Sequence, residues 1–275
     1  RHLVPQRLHG LPAVAAVLSC TVPVVAGFLL PAALLLDLSV SSGDLKFGAR
    51  YLSLVVNSVS VSAITAACAV VLALLIAYSA RAGANLIGLA AHRLASLGYA
   101  VPGAVIAVGI LIPVTRLDHA LSGWLQSLFG ISTGLILTGG MMALVYAYLV
   151  RFLAVALQSV EAGLAKVTPS MDDAARSLGT NPRGILMRVH VPLLMPSLMI
   201  AALMVFVDVM KELPVTFMMR PFNFDTLAVH AYNLASDERL SELAAPALTI
   251  VAVGVLPLIL LSRSLVLARI AAERR

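Results

Sequence analysis

Charge is what this chain has least of. Asp, Glu, Lys and Arg make up 12% of its 275 residues, where a soluble domain carries roughly a quarter. That is too little to cover a water-facing surface, and it excludes a soluble globular enzyme and a charged disordered tail. There are only two cysteines, Cys20 and Cys68. Both fall inside apolar runs, which excludes a disulfide scaffold; they are expected to serve as small buried apolar residues. Lysine occurs at positions 46, 166 and 211 alone, and none ends a Gly-x-x-x-x-Gly-Lys-Ser/Thr stretch. The chain therefore has no phosphate cradle of that type, and it shows no Ser/His/Asp or Cys/His nucleophile set. What it has in abundance is apolar side chains, 60% of the total, with a mean hydropathy of +0.99. Several apolar runs approach the ~20 residues a helix needs to cross a bilayer. The composition specifies a polytopic α-helical membrane protein.

Six spans are expected, at about 11–36, 51–80, 94–113, 134–157, 193–219 and 243–262. Pro12, Pro23 and Pro31 interrupt the first, and Pro102-Gly103 falls in the third. The first stretch is too long for a signal-peptide core and lacks a small-residue cleavage site, so it counts as a span. The net charge of +6 belongs to loops that orient the chain, and nucleic acid is not an expected partner. With both termini in the cytoplasm, thirteen of the 19 Lys and Arg residues, Arg151 among them, fall in inner segments, five fall in outer loops, and Lys211 lies within a span. Basic residues collect on the cytoplasmic side, which favours that orientation. In the second outer segment Leu117, Leu121, Trp124, Leu125 and Leu128 recur at helical spacing around Asp118, His119 and Gln126. They form either an interfacial amphipathic helix or one packed on the bundle.

The loop at 158–192, between the fourth and fifth spans, is long for a membrane bundle. Its pattern is helix, glycine, helix. Ser170 is placed to cap the first helix, with Asp172 and Asp173 in the first turn where negative charge meets the helix dipole. Gly179 is placed to end it in a left-handed conformation. Asn181-Pro182 opens the second helix, in which Ile185, Leu186, Val189 and Val191 are apolar and Arg183, Arg188 and His190 polar. Pro192 and Pro196 mark the start of span five. Such an elbow suits docking onto another protein; a solvated loop on the membrane surface is the plainer reading.

Asp173-Ala174-Ala175, three residues, Gly179, nine residues, then Val189-His190-Val191-Pro192 resembles the cytoplasmic sequence of ABC-importer permeases. That sequence reads Glu-Ala-Ala, three residues, Gly, nine residues, Ile, any residue, Leu-Pro. Here Asp stands for Glu and Val for both Ile and Leu. The resemblance implies an all-α transmembrane fold, a six-span type I permease bundle forming a single domain over 1–275, with the elbow as the coupling helix seated on a separate ATPase subunit. RLASLGYAVPGAV (93–105), YLVRFLAVAL (148–157) and the stretch from Met210 to Leu248 resemble ferric-iron importer permeases, specifically their second half. Those carry two such modules in one chain, which implies that this sequence is one module of a longer product; a one-module subunit pairing with itself is the alternative.

Span five holds Asp208, Lys211 and Glu212. A charge at mid-bilayer costs about 3 kcal/mol on insertion scales, so these need partners or water. Their spacing of three and four places them near one face. Asp208 can pair with Lys211, leaving Glu212 for a neighbour, a cavity or a cation, and Pro214 bends the helix. They either line and gate a translocation path or staple span five to its neighbours. Asp225, His230 and His119, on the outer side, match no ligand spacing and suit a surface that receives a delivery protein. Met195, Met199, Met204 and Met210 are expected to pack between helices.

Uphill import needs energy that this chain does not supply. The resemblance therefore implies that the chain is not itself an enzyme and binds no cofactor, ATP and Mg being held by partner ATPase subunits. A periplasmic solute-binding protein would deliver cargo, with ferric iron the cargo implied; molybdate, thiamine, phosphonate and polyamine are the alternatives within the family. The location implied is the bacterial inner membrane. An ion-coupled secondary transporter using Asp208, Lys211 and Glu212 as a relay, or an intramembrane enzyme, are the readings from outside the family.

Overall fold

The computed structural model describes residues 7–41, 48–82, 86–130 and 134–273. Arg1, Lys46, Arg274 and Arg275, used in the charge distribution above, lie outside them. No strand occurs among the described residues, and six helical stretches are long and apolar enough to cross a membrane: Leu11–Ser41, Ala49–Arg81, Gly103–Phe129, Met141–Leu164, Pro182–Met210 and Leu240–Ile259.

In chain order the helices are α1 (Leu11–Val24), α2 (Leu30–Ser41), α3 (Ala49–Ala82), α4 (Leu86–Leu97), α5 (Gly103–Phe129), α6 (Met141–Leu164), α7 (Pro169–Ser177), α8 (Pro182–Ile185), α9 (Val191–Met210), α10 (Pro214–Met219), α11 (Leu227–Ser236) and α12 (Leu240–Glu273). A π-turn at Val25–Leu29 joins α1 to α2, so Pro23 and Pro31 loosen the first span without ending it. Helices α3, α6 and α9 pack on one another and hold most of the core. They approach closely because their facing residues are small. Ala66, Ala69, Ala73 and Ala77 on α3 and Ala143, Ala147 and Ala156 on α6 are buried. Without a hydrophobic force between helices in lipid, close van der Waals contact is what drives association. At Gly163 of α6 an added methyl would lie 2.5 Å from Ser197 Oγ of α9.

Several boundaries differ from the sequence reading, each for a local reason. The third span is not 94–113. Pro102 has no N–H to continue a helix, so α4 ends before it and α5 begins at Gly103. Helix α5 then runs on through the Leu117–Leu128 pattern to Gly130, which caps it in the left-handed region at φ +68°. The amphipathic segment is thus the far end of span three, not a helix of its own. Asp118, there read as a flanking polar residue, is fully buried. Its carboxylate accepts from the backbone N–H groups of Ile136, Leu137 and Thr138 at 2.7, 3.1 and 2.8 Å and from the Thr138 hydroxyl at 2.7 Å. That holds the chain just ahead of α6, which begins at Met141 and continues to Leu164, so the inner loop is shorter than 158–192.

Cys20 and Cys68 are exposed on the helix surface, not buried; in lipid an outward thiol on an apolar face costs little. Met195, Met199 and Met204 also face outward, and of the four methionines of α9 only Met210 is packed.

Candidate functional site

The elbow forms with two changes from expectation. Thr168, not Ser170, holds the cap position of α7, with Pro169 at its first turn. The second helix is not separate: α8 passes through a π-turn, Leu186–His190, straight into α9. Pro192 falls in the first turn of α9, directly after that π-turn, where a missing donor is tolerated.

Gly179 sits at φ +76° with nothing within 4 Å of an added methyl. The Thr180 N–H donates to Ala175 O at 3.0 Å and the Gly179 N–H to Arg176 O at 2.9 Å, the paired bonds of a Schellman cap. Asn181 Oδ1 accepts from the Gly184 N–H at 2.7 Å and starts α8. Around this turn Asp173, Ala174 and Pro192 are exposed, Ala175 and Val189 half-buried. Leu178 projects with 85% exposure, beside exposed Met171 and Met187. An apolar tip on a polar helix is open to a partner.

The inward side of the elbow was not legible beforehand. His190, grouped with Arg183 and Arg188 as a polar residue of the second helix, is buried at 1% exposure. Its Nε2 lies 2.6 Å from Asp172 Oδ1, and Asp172 Oδ2 accepts from Arg81 Nε at 3.0 Å. Partial burial raises the Asp172 carboxyl, but hydrogen bonds from His190 and Arg81 outweigh it and hold the group below its ordinary 3.8.

The second cluster lies where two helices break. Span five stops at Met210; Lys211–Leu213 leave the helix, and Pro214 opens α10. Asp208 and Lys211 pair at 2.9 Å, with Lys211 62% exposed. Because the helix ends at Met210, Glu212 is not held to the face of Asp208 and turns away from that pair. It is buried, its Oε2 3.5 Å from Nε of Arg151, and its Oε1 accepts from the Val215 N–H at 3.1 Å. Arg151 is therefore not an inner-loop residue but lies in the middle of α6. Its guanidinium stands 5.5 Å over the Phe152 ring, while its Nε and Nη1 are buried without a hydrogen-bond acceptor.

The other break, between α4 and α5, meets the same place. A methyl on Gly103 would lie 2.2 Å from Arg151 Nη1 and 2.8 Å from Glu212 Oε1. The positive end of α5 thus faces the Glu212 carboxylate. Tyr148 and Thr216 hydroxyls bond at 2.5 Å beside it, and the Thr216 hydroxyl donates to Glu212 O. Backbone can leave its helix at membrane depth only where protein or a cavity shelters it, and here an ion pair and two hydroxyls do so. A lone Arg in an apolar run was the signal for this partner of Glu212.

In the segment between α10 and α11, Asp225 pairs with Arg220, and its carbonyl accepts from Asn57 Nδ2 at 3.1 Å. Burial first, then the charges of Arg50 and Arg239, lower the pKa of His230. Among the described residues no three His, Cys, Asp or Glu side chains group as a metal site.

No family model matches the chain. Over 223 residues it is 27% identical to the Fe(3+)-transport system permease protein FbpB 2 of Haemophilus influenzae, covering 81% of this chain and 40% of that protein. Over 164 residues it is 29% identical to the putative 2-aminoethylphosphonate transport system permease protein PhnV of Salmonella typhimurium, 60% of this chain and 56% of that one. The chain thus spans well under two thirds of either relative. A bacterial ABC transporter that imports the acidic polysaccharide alginate superposes with a TM-score of 0.68 at 13% identity, over 94% of both chains. A second alginate transporter structure, in complex with an alginate-bound periplasmic protein, gives 0.66 over 90% of this chain and 92% of that one. The chain has the fold of an ABC-importer permease. In that permease bundle the elbow lies between spans four and five, as its spacing implied, and the ion pair of Arg151 and Glu212 lies within the bundle.

Proposed function

We propose that the chain is the transmembrane permease subunit of an ATP-driven importer, and that its cargo is ferric iron. The observation that carries the reading is the elbow: α7 and Gly179 keep the spacing of the coupling segment, fold as helix–turn–helix, and leave Met171, Ala174 and Leu178 outward. ATPase subunits would seat on that face through Asp173, Ala174, Ala175, Gly179, Val189 and Pro192, with ATP and Mg bound on those subunits. A periplasmic binding protein would load cargo from the opposite side, and a second permease module, fused or a second copy, would complete the path. The chain would sit in the bacterial inner membrane with both termini in the cytoplasm.

The path, in this reading, is gated by Asp208, Lys211, Glu212 and Pro214. Glu212 meets a cation only when its pair with Arg151 opens. Support for iron is the longer of the two sequence likenesses, together with a convergence. The three stretches that resemble iron permeases, 93–105, 148–157 and the segment from Met210 onward, supply Gly103, Arg151 and Glu212 to one cluster. The phosphonate relative supports a second cargo, 2-aminoethylphosphonate.

The deciding experiment reconstitutes the chain in liposomes with an ATPase subunit and a periplasmic binding protein from the same organism. ATP-dependent uptake of radiolabelled ferric iron, without uptake of 2-aminoethylphosphonate, is expected. Gly179→Pro and Asp173→Lys should abolish retention of the ATPase. Retention by both variants would overturn the docking face, and uptake of the phosphonate alone would overturn the cargo.

A further inference from the structure

Helix α7 is held in an uneven way. It has no buried residue, so apolar packing does not locate it, and Gly179 leaves it by an open turn. What ties it down from within is Asp172, whose side chain is 13% exposed against 73% for its neighbour Asp173.

Each oxygen of that carboxylate reaches a different span. Oδ2 takes the hydrogen bond from Arg81 at the end of α3, and the same guanidinium donates through Nη1 to the carbonyl of Leu164, the last residue of α6, at 3.3 Å. Oδ1 meets His190, the last residue of the π-turn that leads into α9. The His190 ring stands edge-on to Tyr78 of α3 at 5.5 Å, and the Tyr78 hydroxyl donates to Pro182 O at 2.9 Å. One carboxylate therefore joins the elbow to α3, α6 and α9, the three helices that carry the core.

We propose that Asp172 is the positioning residue through which a displacement of the elbow reaches all three core spans together. The proposal rests on the elbow being the segment that an ATPase subunit moves. Charge-assisted bonds are shorter and stronger than neutral ones and hold direction. A helix with no buried side chain pivots about whatever fixes it, so without this joint α7 would shift while α3, α6 and α9 stayed behind. Asp173 serves the partner; Asp172 serves the bundle.

Two measurements test this on Asp172→Asn, Asp172→Glu, Arg81→Gln and the double variant Arg81→Gln/Asp172→Asn. The first is hydrogen exchange of the purified chain in detergent micelles. Asp172→Asn and Arg81→Gln should each speed amide exchange in 169–178 by about 10- to 100-fold, the range for losing a hydrogen bond to a charged group. The double variant should be no faster than either single, and exchange in α6 should stay slow as proof of folding. The second uses the chain assembled with its ATPase subunits and spin labels at Leu52 and Leu128, both exposed, at the ends of α3 and α5 away from the elbow. ATP with vanadate should shift the label separation in the parent. Asp172→Asn should abolish the shift while the ATPase stays bound and hydrolyses ATP, and Asp172→Glu should restore it. An unchanged shift in Asp172→Asn, or unaltered exchange, overturns this proposal alone. A parent chain that retains no ATPase overturns the docking reading and this proposal with it.

Discussion

Neutralising Glu212 isolates the charge that holds the two helix breaks together. In Glu212→Gln the side chain keeps its size and its acceptor for the Val215 N–H, which bonds Oε1 at 3.1 Å. Only the negative charge is lost. Arg151, 21% exposed, is then left without a counter-ion, its Nε and Nη1 already lacking acceptors. Removing one partner of a buried pair costs about 3–5 kcal/mol. The 3.5 Å separation and the Phe152 ring beneath the guanidinium place the expected loss at or below the bottom of that range, about 2–3 kcal/mol. Arg151→Met, which strands the carboxylate instead, should cost a similar amount. Because each change removes the same interaction, the double variant should cost no more than the worse single, a coupling of about 2 kcal/mol. Reversible unfolding in mixed micelles, followed by circular dichroism, measures all three. Losses that add to within about 0.5 kcal/mol would refute the pair as an energetic unit. Uptake in the same variants then separates gate from staple: near-normal flux in a folded Glu212→Gln permease would remove Glu212 from the path.

Gly98→Ala should destabilise the chain strongly, because the added methyl would lie 1.7 Å from Val150 O and two backbones must separate; overpacking of this kind costs about 1–3 kcal/mol or more, visible as a lowered melting temperature, and an unchanged one would refute the close approach. Asp118→Ala should free the 136–138 backbone and leave its N–H groups unpaired, costing about 1–3 kcal/mol for each that water does not reach. Faster hydrogen exchange confined to that segment is the expected readout, and protection at the parent level would refute the role.

Much of this protein was open to reading from the one-dimensional order of its residues. Scarce charge and six long apolar runs leave only a helical membrane bundle, since backbone hydrogen bonds in lipid must be made within each segment. Gly179 and Asn181-Pro182 act through local backbone chemistry, so the elbow turn followed from residues a few positions apart. Pro214 announced a bend in span five; the helix instead stops at Met210, and Pro214 opens a new one. Two other features depended on which helices become neighbours. Glu212 was placed beside Asp208 and Lys211 by helical spacing, yet it turns to Arg151, sixty-one positions earlier, because the helix stops before the spacing can apply. Asp172 looked like a residue serving the helix dipole, and His190 like one more polar position of the second helix; packing of α3 against α9 turns both inward. Charge partners across helices are set by close approach of small residues such as Ala69 and Ala147, and no local rule carries that information. Sequence determines that these charges must find partners; only the packed bundle decides which.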